Sequence, residues 1–144
     1  MQPFPHHYQV IVSADDHGNV TVSSDNLASM DSGPPMEYGG PGNLWSPETL
    51  TVAAVVDCFT LTFRAIAAAS RFTWKALSCR GNGTVDRIEG VTRFTGIHIV
   101  ARLTVPEGTG SERAQTLLEK AEKTCLVGQS LRFEPTLETE IVVG

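Results

Sequence analysis

Apolar residues run almost unbroken from Ser46 to Ser70, SPETLTVAAVVDCFTLTFRAIAAAS, and within Leu50 to Ala69 only Thr51, Asp57, Thr60, Thr62 and Arg64 interrupt them. A pattern this apolar on nearly every side predicts a helix that has to be buried all round. Ser46 suits the N-cap, Pro47 the first helical position, and Glu48 the first turn, near the positive end of the helix dipole. The run is long enough to span a bilayer, but Asp57 and Arg64 fall near its centre, where unpaired charges are costly. A central helix in a globular core is the expectation, with no membrane partner.

The flanking patterns have other periods. Tyr8, Val10 and Val12 alternate with Gln9, Ile11 and Ser13, and Val20-Thr21-Val22 follows the turn Asp15 to Asn19, which predicts a β-hairpin with Gly18 at positive φ. Asp31 to Trp45 holds four glycines, three prolines and no regular pattern, hence a long loop. Its Met36, Tyr38, Leu44 and Trp45 fit either a packed Ω-like cover over a sheet edge or one wall of a pocket. After the apolar run, Phe72 to Cys79 and Thr84 to Glu89 read as strands, with Gly81-Asn82-Gly83 as a break or bulge between them. Ile97, Ile99, Ala101, Leu103 and Val105 alternate with His98, Val100, Arg102 and Thr104, a half-buried strand ending at Pro106. Ser111 then reads as the N-cap of an amphipathic helix, with Ala114, Leu117, Leu118, Ala121, Cys125 and Gly128 on its buried stripe. Glu112, Arg113, Glu119, Lys120, Glu122 and Lys123 fall on its outer face. Leu137, Thr139, Ile141 and Val143 form a last strand.

Together these elements predict an α+β fold, antiparallel sheet around a buried central helix, as one domain over residues 1–144. One sheet and one amphipathic helix leave part of the central helix uncovered, so a homodimer is expected. With 144 residues the chain can bury a core without metal or disulfide staples, and its net charge of −5 with no Lys/Arg cluster argues against a nucleic-acid partner. The opening MQPFPHHYQV has no basic segment followed by an apolar core, and three widely spaced cysteines suit a reducing compartment; a cytoplasmic location is expected.

Little in the chain spells a familiar catalytic motif. There is no CxxC, and His6-His7 has no spaced partner, so no metal site is expected. A GxSxG elbow is absent, and neither Gly81 to Gly83 nor Gly39 to Gly42 precedes a helix as a phosphate cradle would. Cys58 and Cys125 fall on helix faces turned to the core, where a free cysteine is ordinarily a small buried hydrophobe. Cys79, at a strand end, fits that role and is assigned no other.

Several segments nonetheless share a wider pattern: Tyr38-Gly39-Gly40, Ser46-Pro47-Glu48 opening the apolar helix, Asp57-Cys58-Phe59 ten residues on, and Lys120 to Cys125 near the end of the second helix. In these the chain resembles the OsmC/Ohr family, the osmotically inducible and organic-hydroperoxide-resistance thiol peroxidases, and within it a divergent OsmC-like branch. The resemblance implies an intertwined homodimer and a thiol-dependent reduction of organic hydroperoxides or hydrogen peroxide. Cys58 would be the peroxidatic thiolate and Cys125 would resolve its sulfenic acid as a disulfide. The resemblance also implies no bound cofactor, an external thiol or lipoyl-type dithiol as reductant, and an apolar substrate pocket for which Met36, Tyr38, Leu44, Trp45 and Phe59 are candidates. Glu48 lies roughly 15 Å from Cys58 along the helix, at about 1.5 Å per residue, so a catalytic role for it has to cross a subunit interface. Otherwise it only favours the helix N-terminus. Three features depart from the family pattern: neither Ala14 to Asn19 nor Asp31 to Trp45 contains the activating arginine, Asp57 adjoins Cys58, and Leu126 follows Cys125 where proline is common. They leave room for an alternative, a weakly active or inactive redox-responsive or hydrophobic-ligand-binding protein of the same fold.

Overall fold

Ile97, Ile99, Ala101, Leu103 and Val105 are all buried along one face of a long strand, as their alternation predicts. The computed structural model describes residues 1–144, and this strand lies in the larger of two compact units, Thr51–Gly144; the smaller is Met1–Leu50. In chain order the elements are β1 (Ile11–Ser13), β2 (Val20–Ser23), β3 (Met30–Ser32), a 3-10 turn (Met36–Tyr38), α1 (Pro47–Ala69), β4 (Ala76–Ile88), β5 (Val91–Val105), α2 (Ser111–Thr124), α3 (Leu126–Gln129) and β6 (Thr136–Val143).

In the smaller unit the expected hairpin is present as β1 and β2, with Gly18 at φ 87°. A third antiparallel strand, β3, pairs with β2 and takes up the start of the segment expected to be loop. The remainder closes on itself: Ser32 bridges to Trp45, and the Gly33 N–H donates to the Trp45 carbonyl at 2.9 Å. A Cβ on Gly40 would stand 1.7 Å from the Pro34 carbonyl oxygen, so only glycine lets this backbone pass. The two ends of the loop thus meet, as in an Ω loop, while Met36, Tyr38 and Trp45 stay exposed. Ser46 caps α1 as expected. Its hydroxyl accepts the Thr49 N–H at 3.1 Å while the Thr49 hydroxyl accepts the Ser46 N–H at 2.9 Å, a reciprocal capping box.

The larger unit is a three-stranded sheet in the order β4-β5-β6 with helices on one face. Three expectations need correction. First, β4 is continuous where a break or bulge was expected at Gly81 to Gly83, and the bulge-like register shift falls just beyond, between Thr84 and Val85. The glycines are there because α1 passes close over the strand: a Cβ on Gly81 would meet Val56 at 2.4 Å, and one on Gly83 would meet Val52 at 2.6 Å. Second, the sheet is not purely antiparallel. β6 runs parallel to β5, from His98 opposite Thr136 to Val105 opposite Val143, because α2 and α3 form a crossover between them. Third, α1 is not buried all round. Val55, Phe59, Phe63 and Ala67, spaced by four, are fully buried against the sheet, whereas Asp57, Leu61, Arg64, Ala65 and Ala68 are exposed. The sheet offers a single covering face, so one stripe of the helix is used. The helix is 23 residues long and apolar enough by length and composition to cross a membrane, but this stripe packs it as a core helix.

In α2 the stripe Ala114, Leu117, Leu118 and Ala121 is buried as expected. Gly110, not Ser111, is the N-cap, and Glu122 is buried rather than on the outer face. Burial pushes the Glu122 carboxyl above the usual carboxylate range; the Glu134 carboxylate adds to this, and Lys123 opposes it.

Candidate functional site

Two cysteines from distant parts of the chain converge where α2 ends. Cys58 lies half-buried in α1, three residues beyond the fully buried Val55. Cys125 does not lie within α2 as expected but immediately after it. With φ −61° and ψ 115° it breaks the helix and caps α3, and it is 2% exposed. That extended residue turns the chain so that the following backbone faces α1. The Val127 N–H donates to the Cys58 sulfur at 3.5 Å, and the Cys125 thiol donates to the Val55 carbonyl at 3.9 Å. The two sulfurs lie near enough to act on each other's ionisation, and both are free.

The electrostatic consequences differ between the two sulfurs. Burial pushes the Cys58 thiol up, but the Val127 N–H, the Cys125 thiol, the Thr62 hydroxyl and the Leu126 N–H all favour the thiolate, and the net effect holds Cys58 below the ordinary value of 9.0. Cys125 moves the other way. Burial and its bond to Cys58 push it to about 11, against the N–H groups of Gly128 and Val127. The pair is thus divided into an ionisable thiol and a protonated one. No cation is among the groups that act on Cys58, and Arg64 is exposed. Asp57 is not among them either; it is exposed on the outer side of α1. Cys79 is separate: burial raises its pKa and a bond to the Thr60 hydroxyl opposes this.

The other sequence-derived candidates are less concentrated. Glu48 sits in the first turn of α1 with its Oε2 buried and unpartnered. Met36, Tyr38, Leu44 and Trp45 belong to the smaller unit, and all but Leu44 are well exposed. Phe59 is no pocket wall, since it is fully buried in the stripe of α1 that packs on the sheet. The smaller unit has a groove of about 400 Å³ lined in part by Tyr8, Val10, Ile11 and Leu27, which none of these candidates reaches. Sequence reasoning missed the donors Leu126, Val127 and Thr62. Only Thr62 had a signal, its i+4 spacing from Cys58, because backbone donors carry no side-chain signature.

The fold and the site together define a class: an α+β protein whose central helix presents one thiol to a second held just beyond the amphipathic helix. The chain belongs to the OsmC-like protein family, whose sequence profile matches residues 40–140 and so includes both cysteines. Among relatives, the uncharacterized protein YmaD of Bacillus subtilis (strain 168) is 27% identical over 128 residues, 85% of this chain and 83% of that one. An OsmC-like protein of unknown function from Vibrio cholerae superposes with a TM-score of 0.84 at 19% identity, covering 94% of this chain and all of that one. The organic hydroperoxide resistance protein OsmC of Legionella pneumophila superposes at 0.76 with 21% identity, covering 98% and 100%. At such identities the likeness to the solved structures is one of fold.

Proposed function

We propose that the protein is a thiol-dependent peroxidase acting on organic hydroperoxides or hydrogen peroxide, with Cys58 as the reacting thiolate and Cys125 as the resolving thiol. The observation that carries this reading is the divided pair: a sulfur bonded by the Val127 N–H at 3.5 Å beside a second, buried thiol. The Cys58 thiolate attacks the distal oxygen of ROOH, the O–O bond breaks, and the leaving alkoxide takes up a proton to give ROH. Cys58 is then a sulfenic acid. The Cys125 thiol loses its proton and displaces the sulfenic hydroxyl as water, forming the S–S bond. An external thiol or lipoyl-type dithiol returns both cysteines to the reduced state, and a reducing, cytoplasmic setting suits the cycle.

A second copy of the chain is part of the proposal. Beyond Ile97 the β4–β5 ribbon has no third strand, because β6 pairs only with His98–Val105. Two strands alone are marginal. The exposed face of α1, with Leu61 51% exposed, likewise lacks cover. A homodimer covers both, and it is the setting in which Glu48, with its unpartnered oxygen, serves the partner's site. The absence of a cation acting on Cys58 favours one alternative, a redox-responsive or hydrophobic-ligand-binding protein with little turnover.

The test is to incubate reduced protein with cumene hydroperoxide and a dithiol, follow peroxide loss, and map disulfides by mass spectrometry. Multiple turnovers that vanish in Cys58→Ser support the enzyme. Absence of both peroxide loss and a Cys58–Cys125 bridge rejects it.

A further inference from the structure

No cation acts on Cys58, and the hydrogen bond it accepts from main chain comes from Val127, whose N–H donates to the sulfur at 3.5 Å. Val127 lies two residues beyond Cys125, whose extended φ and ψ turn the segment towards α1. Its N–H lies in the opening turn of α3, where no intrahelical carbonyl is available to it. A sulfur carrying negative charge is the acceptor it meets.

We propose that the backbone N–H of Val127 is the positioning donor that holds the Cys58 sulfur as a thiolate, filling the place of a charged side chain. The segment therefore has two roles in one turn of chain, since Cys125 brings the second thiol and Val127 brings the donor. A fixed dipole aimed at the sulfur needs no reorganisation when charge develops there. It also adds no flexible cationic side chain beside an apolar substrate. This inference rests on the reading of Cys58 as the reacting thiol.

The amide proton resonance of Val127, followed across pH in reduced wild type and in Cys58→Ser, tests it. Iodoacetamide alkylation of Cys58, resolved by peptide mass spectrometry, gives the midpoint at which the sulfur ionises. The Val127 resonance is expected to move downfield through that midpoint in wild type and to lack the transition in Cys58→Ser. A resonance that stays fixed through the midpoint, or that moves equally in Cys58→Ser, overturns the proposal.

Neither measurement involves peroxide, so a Val127 resonance that follows the Cys58 midpoint in a protein without peroxide turnover supports the donor and rejects the peroxidase.

Discussion

The Val127 N–H and the Cys58 sulfur meet at 3.5 Å although 69 positions separate them in sequence. This contact helps to hold Cys58 below the ordinary value of 9.0 against its burial, whereas burial, with the bond to Cys58, pushes Cys125 above it. Alkylation of Cys58 is therefore expected to rise through a midpoint below 9.0, and that of Cys125 only towards about 11. Stability follows with opposite signs. The folded chain keeps the Cys125 proton to about 11 whereas the unfolded chain loses it near 9.0, so stability falls as pH rises through that window. The Cys58 contribution is complete above 9.0 and is lost as pH falls through its folded value. Denaturant titrations of wild type and Cys125→Ser between pH 8 and 11 check this: the alkaline decline should be shallower in the serine variant, where the raised Cys79 thiol still contributes. A decline of equal depth in both would contradict the assignment to Cys125.

Removing the resolving thiol has a chemical signature distinct from its effect on stability. Cys125→Ser is expected to react once with peroxide and then to accumulate sulfinic and sulfonic acid at Cys58, because no second sulfur captures the sulfenic acid. Intact-mass measurements over a peroxide series distinguish this from wild type, which should stop at a mass loss of two hydrogens. Equal over-oxidation of the two proteins removes Cys125 from a resolving role.

What could be read from residues alone was the local content. The apolar run gave α1 and its Ser46 cap, alternation gave β5, and i,i+3/i+4 spacing gave the stripe of α2. Several long-range relationships escaped. Gly81 and Gly83 carry the usual mark of a break, but they sit in a continuous strand because α1 needs the space above it. The direction of β6 depends on how α2 and α3 cross, which no residue in Thr136–Val143 encodes. At the site, the two cysteines were legible as side chains of the right type in a familiar arrangement. The donors at Leu126 and Val127 were not, since every residue other than proline has an N–H and only the fold decides where it points. Phe59, a pocket candidate by the resemblance, adjoins Cys58 in sequence, but one step along a helix turns a side chain by about 100° and directs this one into the sheet.

Gly81→Ala probes the close approach of α1 to β4. The added methyl would stand 2.4 Å from the Val56 side chain and 2.9 Å from that of Val52, both stiff at χ1. Overpacking of this kind costs about 1–3 kcal/mol, and relieving a glycine in a strand recovers roughly 0.5–1 kcal/mol. A net loss is expected, measured as a lower denaturation midpoint with an unchanged slope. Double substitution with Val56→Ala should recover part of it through the space vacated. If Gly81→Ala is instead as stable as wild type, α1 stands further from the strand than these distances state.

Leu61 separates the packing needs of one chain from those of a pair. It is 51% exposed, while the fully buried stripe of the same helix runs through Phe59 and Phe63. Replacing Leu61 with Glu puts a charge on a surface that a single chain leaves to water, so the fold of the chain should survive, with unchanged far-UV circular dichroism. In a homodimer built on this face, the same carboxylate would be desolvated at the interface without a partner, a cost of several kcal/mol. Wild type is accordingly expected to travel in light-scattering chromatography at twice the 15.5 kDa chain mass, and Leu61→Glu at or near the single-chain mass. Peroxide turnover should fall in the variant along with the dimer, because Glu48 then has no partner site to serve. A dimer that persists in Leu61→Glu would move the interface away from α1, and with it the cross-subunit role of Glu48.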